Sequence, residues 1–265
     1  MPLLTRDNED LARDYDELSV NRQFKSGKQL IEALALQPGE RVLDVGCGTG
    51  LLAEHMAEQV GPTGHVLGID PLPLRINLAQ ARSRAGLSFR VGDAYALDDL
   101  PNGAFDVVCL NAVFHWLPEK TGPLRQFARI LKPGGRLGIS TGLKGHPNPV
   151  RVAAVAILAR PPFAEHPRGE AADHRVDADE MRRLLGDAGF RVTLLETRLS
   201  AQVFPTPEGV LRYAEASSFG NLFGHLPDGL RSAARAAIKE ALAAAATPDG
   251  IPMSTCRIVT VAIKL

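Results

Sequence analysis

Arg41-Val42-Leu43-Asp44-Val45-Gly46-Cys47-Gly48-Thr49-Gly50 decides the fold. A short apolar run carries Asp44 near its end and passes into three glycines at every second position. Leu51, Leu52, His55 and Met56 then keep helical spacing. Strand, glycine turn and helix are how an α/β sheet offers bare backbone to a nucleotide-like ligand. Glycine suits such a turn because a Cβ would clash with a ligand on the backbone, and because the turn often needs positive φ. The spacing also excludes. A dinucleotide fingerprint reads G-x-G-x-x-G, but here the third glycine comes one residue early and Leu51 takes its place. No G-x-x-x-x-G-K-[ST] is present, which removes a P-loop.

Outward from this stretch, strands and helices alternate. Strands are expected at 41–45, 65–70, 88–91, 105–110 and 135–141, with helices at 50–60, 72–84 and 121–131 between them. Such alternation implies a mostly parallel sheet with helices on both faces. Two helices precede it, at 7–20 and 26–36. After Thr141 the pattern breaks: prolines and glycines bracket a helix of about 150–159, and 163–176 is irregular. A helix at 177–187, a strand at 190–199, helices at 207–216 and 228–245 and a closing strand at 255–265 complete the chain. The boundaries expected are 1–37 for N-terminal cap helices, 38–144 for the core, and 145–176 for a cap insertion. Residues 177–265 would then be the C-terminal core, with a second helical insertion near 204–250.

D-V-G-C-G-T-G resembles motif I of the class I S-adenosylmethionine-dependent methyltransferases of small-molecule type. Val66-Leu67-Gly68-Ile69-Asp70, Phe89-Arg90-Val91-Gly92-Asp93-Ala94 and Phe105-Asp106-Val107-Val108-Cys109-Leu110-Asn111 resemble the family's second to fourth strands. Ile130-Leu131-Lys132-Pro133-Gly134-Gly135-Arg136-Leu137 resembles the turn into the fifth. The resemblance covers residues 40–141. It implies an α/β fold, a doubly wound, seven-stranded, Rossmann-like sheet of order 3-2-1-4-5-7-6 with the last strand antiparallel. The segments outside the sheet would assemble as a helical cap over the carboxyl ends of the strands.

The resemblance also assigns roles. S-adenosyl-L-methionine would be the cofactor and S-adenosyl-L-homocysteine its product. Gly46, Cys47, Gly48 and Gly50 would approach the methionine portion and ribose. Asp44 would meet the positively charged amino end. Asp70 would accept the ribose hydroxyls, Pro71 and Leu72 would cover the adenine, and Asp93 with Ala94 would meet its amino group. Asn111, Ala112 and Val113 would face the methyl. Phe114, His115 and Trp116 would line the junction with the substrate, and Tyr15 would fold over from the N-terminal helix. His115 is the candidate general base. For each of these a plainer reading stands beside the functional one: a turn residue for Asp93, a helix cap for Asp70, core packing for Trp116 and Tyr15, a lining role for His115. Arg151, Arg160, Arg168 and Arg175 offer cations for an anionic substrate, or only a solvated surface.

Thirty basic and thirty acidic residues give zero formal net charge, which argues against a general nucleic-acid binder. Three cysteines, Cys47, Cys109 and Cys256, make no metal-ligand spacing and suit a reducing compartment. No metal is signalled. Residues 1–23 lack the apolar core of a signal peptide. No run reaches the roughly 18 apolar residues of a membrane span. The expectation is a cytoplasmic enzyme, monomer or homodimer, transferring a methyl to O, N, S or C of a small metabolite. A macromolecular methyltransferase and a catalytically silent cofactor-binding scaffold stay open as alternatives.

Overall fold

A computed structural model describes residues 7–19, 23–167, 173–218 and 222–265. Arg168, one of the candidate cap arginines, lies outside the described residues. Among the described residues, seven strands form one sheet: β1 Arg41–Val45, β2 His65–Asp70, β3 Leu87–Val91, β4 Phe105–Asn111, β5 Leu131–Gly142, β6 Phe190–Phe204 and β7 Ile251–Lys264. Their order is β3-β2-β1-β4-β5-β7-β6. The first five pair in parallel, and β7 runs antiparallel to β5 from Arg136↔Ile263 to Gly142↔Arg257. This is the architecture that the resemblance implied.

The chain divides into two compact units. The larger comprises Ser19–Lys144, Asp173–Arg198 and Arg257–Leu265; the described residues of the smaller fall within Met1–Leu18, Gly145–Ala172 and Leu199–Cys256. The division falls within β6 and β7. The larger unit is layered because successive strand residues point to opposite faces of a sheet. Val42, Val107 and Cys109 turn to one face, where helices α2 Lys25–Leu34, α3 Leu51–Val60 and α4 Pro73–Gln80 bury Leu30, Leu34, Met56 and Ile76. Leu43, Val45, Val108 and Leu110 turn to the other, against Leu124 and Phe127 of α5 Thr121–Ile130 and Met181 and Leu185 of α7 Ala178–Asp187. Strands buried on both faces read as continuous apolar runs, as β1 and β4 do.

The smaller unit has its own core. α6 Pro149–Leu158, α8 Pro207–Ser217 and α9 Asp228–Ala244 bury Val150, Ala154, Val210, Leu211, Ala234 and Ile238 together. Asn148 and Thr206 cap α6 and α8 by accepting from the Arg151 and Gly209 amides. Helix α1, Glu9–Ser19, carries Asp14, which pairs with Arg212 of α8.

The structure departs from the expected segments in several places, β6 running on to Phe204 and α4 ending at Gln80 among them. α2 was grouped with α1 as an N-terminal cap, but its buried face joins the core of the larger unit. β5 starts at Leu131, because Leu131 pairs with Phe105 before the register jumps to Val107↔Arg136. Lys132–Gly135 is therefore a bulge inside the strand, turned by Gly134 at φ 74°. β7 begins at Ile251, four residues early. Pro252 reads as a break, yet it lies before Arg257, where the ladder to β5 starts, and so removes no donor from it.

Candidate functional site

The turn after β1 holds Gly46, Gly48 and Gly50 at φ 70°, 56° and 88°, all left-handed. The amides of Gly46 and Cys47 donate to the Ile69 carbonyl at 2.7 and 3.0 Å. Asp70, at the end of β2, fixes the turn further. Its Oδ2 accepts from the Gly48 amide and its Oδ1 from the Leu72 amide, each at 2.9 Å. The glycines are needed, but not all for a ligand's sake. A Cβ on Gly46 would lie 2.3 Å from Val113 Cγ2, and one on Gly50 2.7 Å from the Phe89 ring. The protein's own side chains fill those places, which corrects the expectation that the missing Cβ atoms clear room for a ligand at Gly46 and Gly50.

Asp44 is 2% exposed, and its Oδ2 has no hydrogen-bond partner among the described residues. Burial, and then the Asp70 charge, push its carboxyl up to about 7. A buried carboxylate oxygen left unpaired is costly unless a donor or cation meets it. The Gln23 Oε1 is a second buried acceptor of this kind. Cys47 and Leu72 are buried, and Pro71 is exposed. Burial raises the Cys47 thiol well above its usual range, so it is an inert small hydrophobe. Asp93 is exposed and forms a turn, its Oδ1 accepting from the Tyr95 amide at 3.0 Å, with Ala94 buried beside it.

At the end of β4 the carboxamide of Asn111 is fixed from two sides. Its Nδ2 donates to the Gln23 carbonyl at 3.1 Å, and its Oδ1 accepts from Arg257 Nη2 at 3.0 Å. Gly27 of α2 leaves it room, since a Cβ there would lie 2.9 Å from Nδ2. Ala112 follows at φ 62°, an uncommon conformation for a residue with a side chain. The chain then tightens into a 3₁₀ turn, Phe114–Trp116. Lys120 closes it, its Nζ donating to the carbonyls of Phe114 and Leu117.

The turn separates the residues expected to act together. Phe114 is fully buried in the core with Leu110 and Leu124, so it does not line a substrate site, contrary to expectation. His115 and Trp116 are half-buried, with ring centroids 5.2 Å apart. His115 Nδ1 lies 3.0 Å from Thr141 Oγ1. Tyr15 lies on α1 in the smaller unit. His115 is pushed down to about 3, first by burial, then by Arg257, Arg175 and Lys120, against the opposing charge of Asp173.

Arg257, Ser140, Thr141, Lys120 and Gln23 were not singled out from sequence. Arg257 opens an apolar run, Ile258 to Ile263, where one arginine reads as strand-end solvation. Gly27 inside a helical pattern was the one signal that another group approaches α2 closely. No group of acids, histidines and cysteines among the described residues is arranged to hold a metal ion.

A glycine turn after the first strand, acids ending β1 and β2, and a sheet with one strand reversed beside β5 define a Rossmann-like methyltransferase fold. The chain belongs to the methyltransferase domain family, whose model matches residues 17–195. It is 37% identical over 172 residues to the nocamycin O-methyltransferase of Saccharothrix syringae, covering 60% of each chain. This chain thus spans 60% of that relative's length. Among solved structures it resembles a protein from Bacillus halodurans C-125, with TM-score 0.61 and 18% identity, over 91% of this chain and 99% of that one. It also resembles geranyl diphosphate methyltransferase in complex with S-adenosylmethionine, with TM-score 0.56 and 17% identity, over 91% and 85% of the two chains.

Proposed function

We propose that this protein is an S-adenosylmethionine-dependent methyltransferase acting at O, N, S or C of a small metabolite, and releasing S-adenosylhomocysteine. The observation that carries the reading is the buried, unpartnered Asp44 Oδ2 beside a turn held open by Asp70. An ammonium is the group that such an oxygen accepts best. The residues present therefore fit the cofactor: Asp44 for its amino end, the Gly46–Gly50 backbone, Asp70 for the ribose, Pro71 and Leu72 for the adenine, Asp93 and Ala94 for the adenine amino group. When bound, S-adenosylmethionine supplies an activated methyl on a sulfonium.

The chain's own residues have little left to do but align and dehydrate. Asn111, locked by Arg257 and Gln23, presents a fixed carboxamide at the end of β4. His115 was expected as general base. With its imidazole at about 3 it stays neutral at physiological pH and accepts protons poorly. Its service is a fixed hydrogen bond beside Trp116, the half-buried aromatic of the turn. The evenly balanced charge supports a free small molecule over a nucleic acid as acceptor.

Calorimetric titration with S-adenosylmethionine, S-adenosylhomocysteine and NAD tests the reading. Micromolar binding of the first two and none of NAD is expected. Asp70→Ala should weaken S-adenosylhomocysteine by about 1–3 kcal/mol, the loss for a buried charged hydrogen-bond group. A folded protein that ignores both methyl-cofactor forms would sink the assignment, and unchanged affinity in Asp70→Ala would sink the ribose role.

A further inference from the structure

The crossover from β3 to β4 carries no helix, so residues 92–104 are held in place by individual bonds. The far half of this loop is fastened to α5. Arg129 Nη1 donates to the Leu100 carbonyl at 2.8 Å and Nη2 to the Leu97 carbonyl at 2.6 Å, and Leu97 and Leu100 are buried. The near half carries Asp93. There the Gly92 amide donates to the Asp70 carbonyl at 3.1 Å, and Ala94 is buried. The turn closes on itself, Asp93 Oδ1 accepting from the Tyr95 amide and the Asp93 carbonyl from the Ala96 amide. A further anchor is the Tyr95 phenol. Its hydroxyl donates to the Glu119 carbonyl at 2.6 Å and accepts from the Glu119 amide at 3.2 Å. One side chain thus meets both backbone groups of a residue 24 positions away.

Glu119 is itself fixed. Its carboxylate accepts from the Thr121 and Gly122 amides at the start of α5, the second at 2.8 Å. Gly122 leaves room for this, since a Cβ there would stand 2.9 Å from Glu119 Oε2 and 3.9 Å from Tyr95 Cδ1. The phenol is therefore tied to the first turn of a helix. Asp93 has Oδ1 occupied by the Tyr95 amide, and among the described residues its Oδ2 meets no donor. We propose that Tyr95 is a positioning residue for Asp93: the phenol, held at Glu119, sets where the Asp93 carboxylate stands, and so how strongly this chain prefers adenine to a base without the 6-amino group. The proposal rests on the methyltransferase reading, in which Asp93 meets that amino group. A carboxylate already held in place loses little freedom when a donor arrives. On a loop released at Glu119, the ligand itself would have to supply the ordering.

Calorimetry on the full chain tests this with S-adenosylhomocysteine and S-inosylhomocysteine, which carries an oxo group in place of the 6-amino group. The native chain should prefer the first by about tenfold or more, the worth of one hydrogen bond to a charged group. Tyr95→Phe deletes the hydroxyl alone. It should weaken S-adenosylhomocysteine by about three- to tenfold and leave S-inosylhomocysteine within about twofold, so that the preference shrinks. Asp93→Ala should abolish the preference, and adding Tyr95→Phe to it should change neither affinity further. A Tyr95→Phe protein that keeps the native preference overturns the positioning role alone. So do equal losses for both nucleosides, the mark of a loop merely loosened, and losses that add in the double variant. A native chain that binds both nucleosides alike removes the adenine role of Asp93 and the positioning role with it. One that binds neither removes the methyltransferase reading, and the proposal falls with that reading.

Discussion

Asp44 is the residue on which the reading turns, and its chemistry gives a pH signature. Folded, it keeps its proton to about pH 7; in the unfolded chain a carboxyl releases it near 3.8. Between those values the folded state binds more protons, so stability falls as pH rises and levels off above about 7. The burden approaches roughly 4 kcal/mol, at 1.36 kcal/mol per pKa unit. Asp44→Asn removes it. Chemical denaturation should find the variant gaining on the native chain as pH climbs from 4 to 7.5; a difference that stays flat would mean Asp44 is not buried as described. His115 works in the other direction, its neutral folded form losing stability as pH drops below about 6.5. At this scale the sequence was legible where a residue stands in a local pattern. Asp44 and Asp70 stand at or next to the ends of their strands, where the glycine turn marks them out. Arg257 was not legible, because its meaning comes from Asn111, 146 positions away. Phe114 was misread because an aromatic beside a site and an aromatic beneath it look alike in sequence.

Elements were easier to read than their ends. The central strands β1 and β4 were legible from apolar runs, since burial on both faces leaves little choice of residue, and β6 from its alternation of apolar and polar residues. The bulge in β5 was not, because Lys132–Gly135 carries turn residues whether or not the strand has already begun. Nor was the fit between the turn after β1 and the end of β4. Gly46 and Val113 interlock, so the two elements behave as one. Gly46→Ala should cost about 1–2 kcal/mol for left-handed backbone and a further 1–3 for overlap with Val113. Adding Val113→Ala should return the overlap part and leave the backbone part. Thermal or denaturant melts of the two variants decide this; a double variant no more stable than the single would mean the contact at 2.3 Å is not what limits the position.

Across the molecule, labour divides between two cores. Every residue proposed to hold the cofactor lies in the larger unit, as do Arg257, Arg175 and Asn111. Ile238 is buried at the centre of the smaller one. Ile238→Ala should cost about 2–5 kcal/mol of stability, yet leave the affinity for S-adenosylhomocysteine within about twofold by calorimetry. A tenfold loss would mean that cofactor binding is not housed in the larger unit alone. The sequence reading grouped α2 with α1, because an amphipathic helix does not announce which core its apolar stripe will meet.

β7 crosses the division between Cys256 and Arg257, and it pairs with β5 residue for residue from Arg257 to Ile263. Neighbouring residues on a strand face opposite ways, so a shift of pairing by a single position would carry the guanidinium from one side of the sheet to the other. A one-residue deletion between Ile251 and Cys256 would therefore leave the charge and the cofactor turn untouched while risking the place of Arg257 beside Asn111.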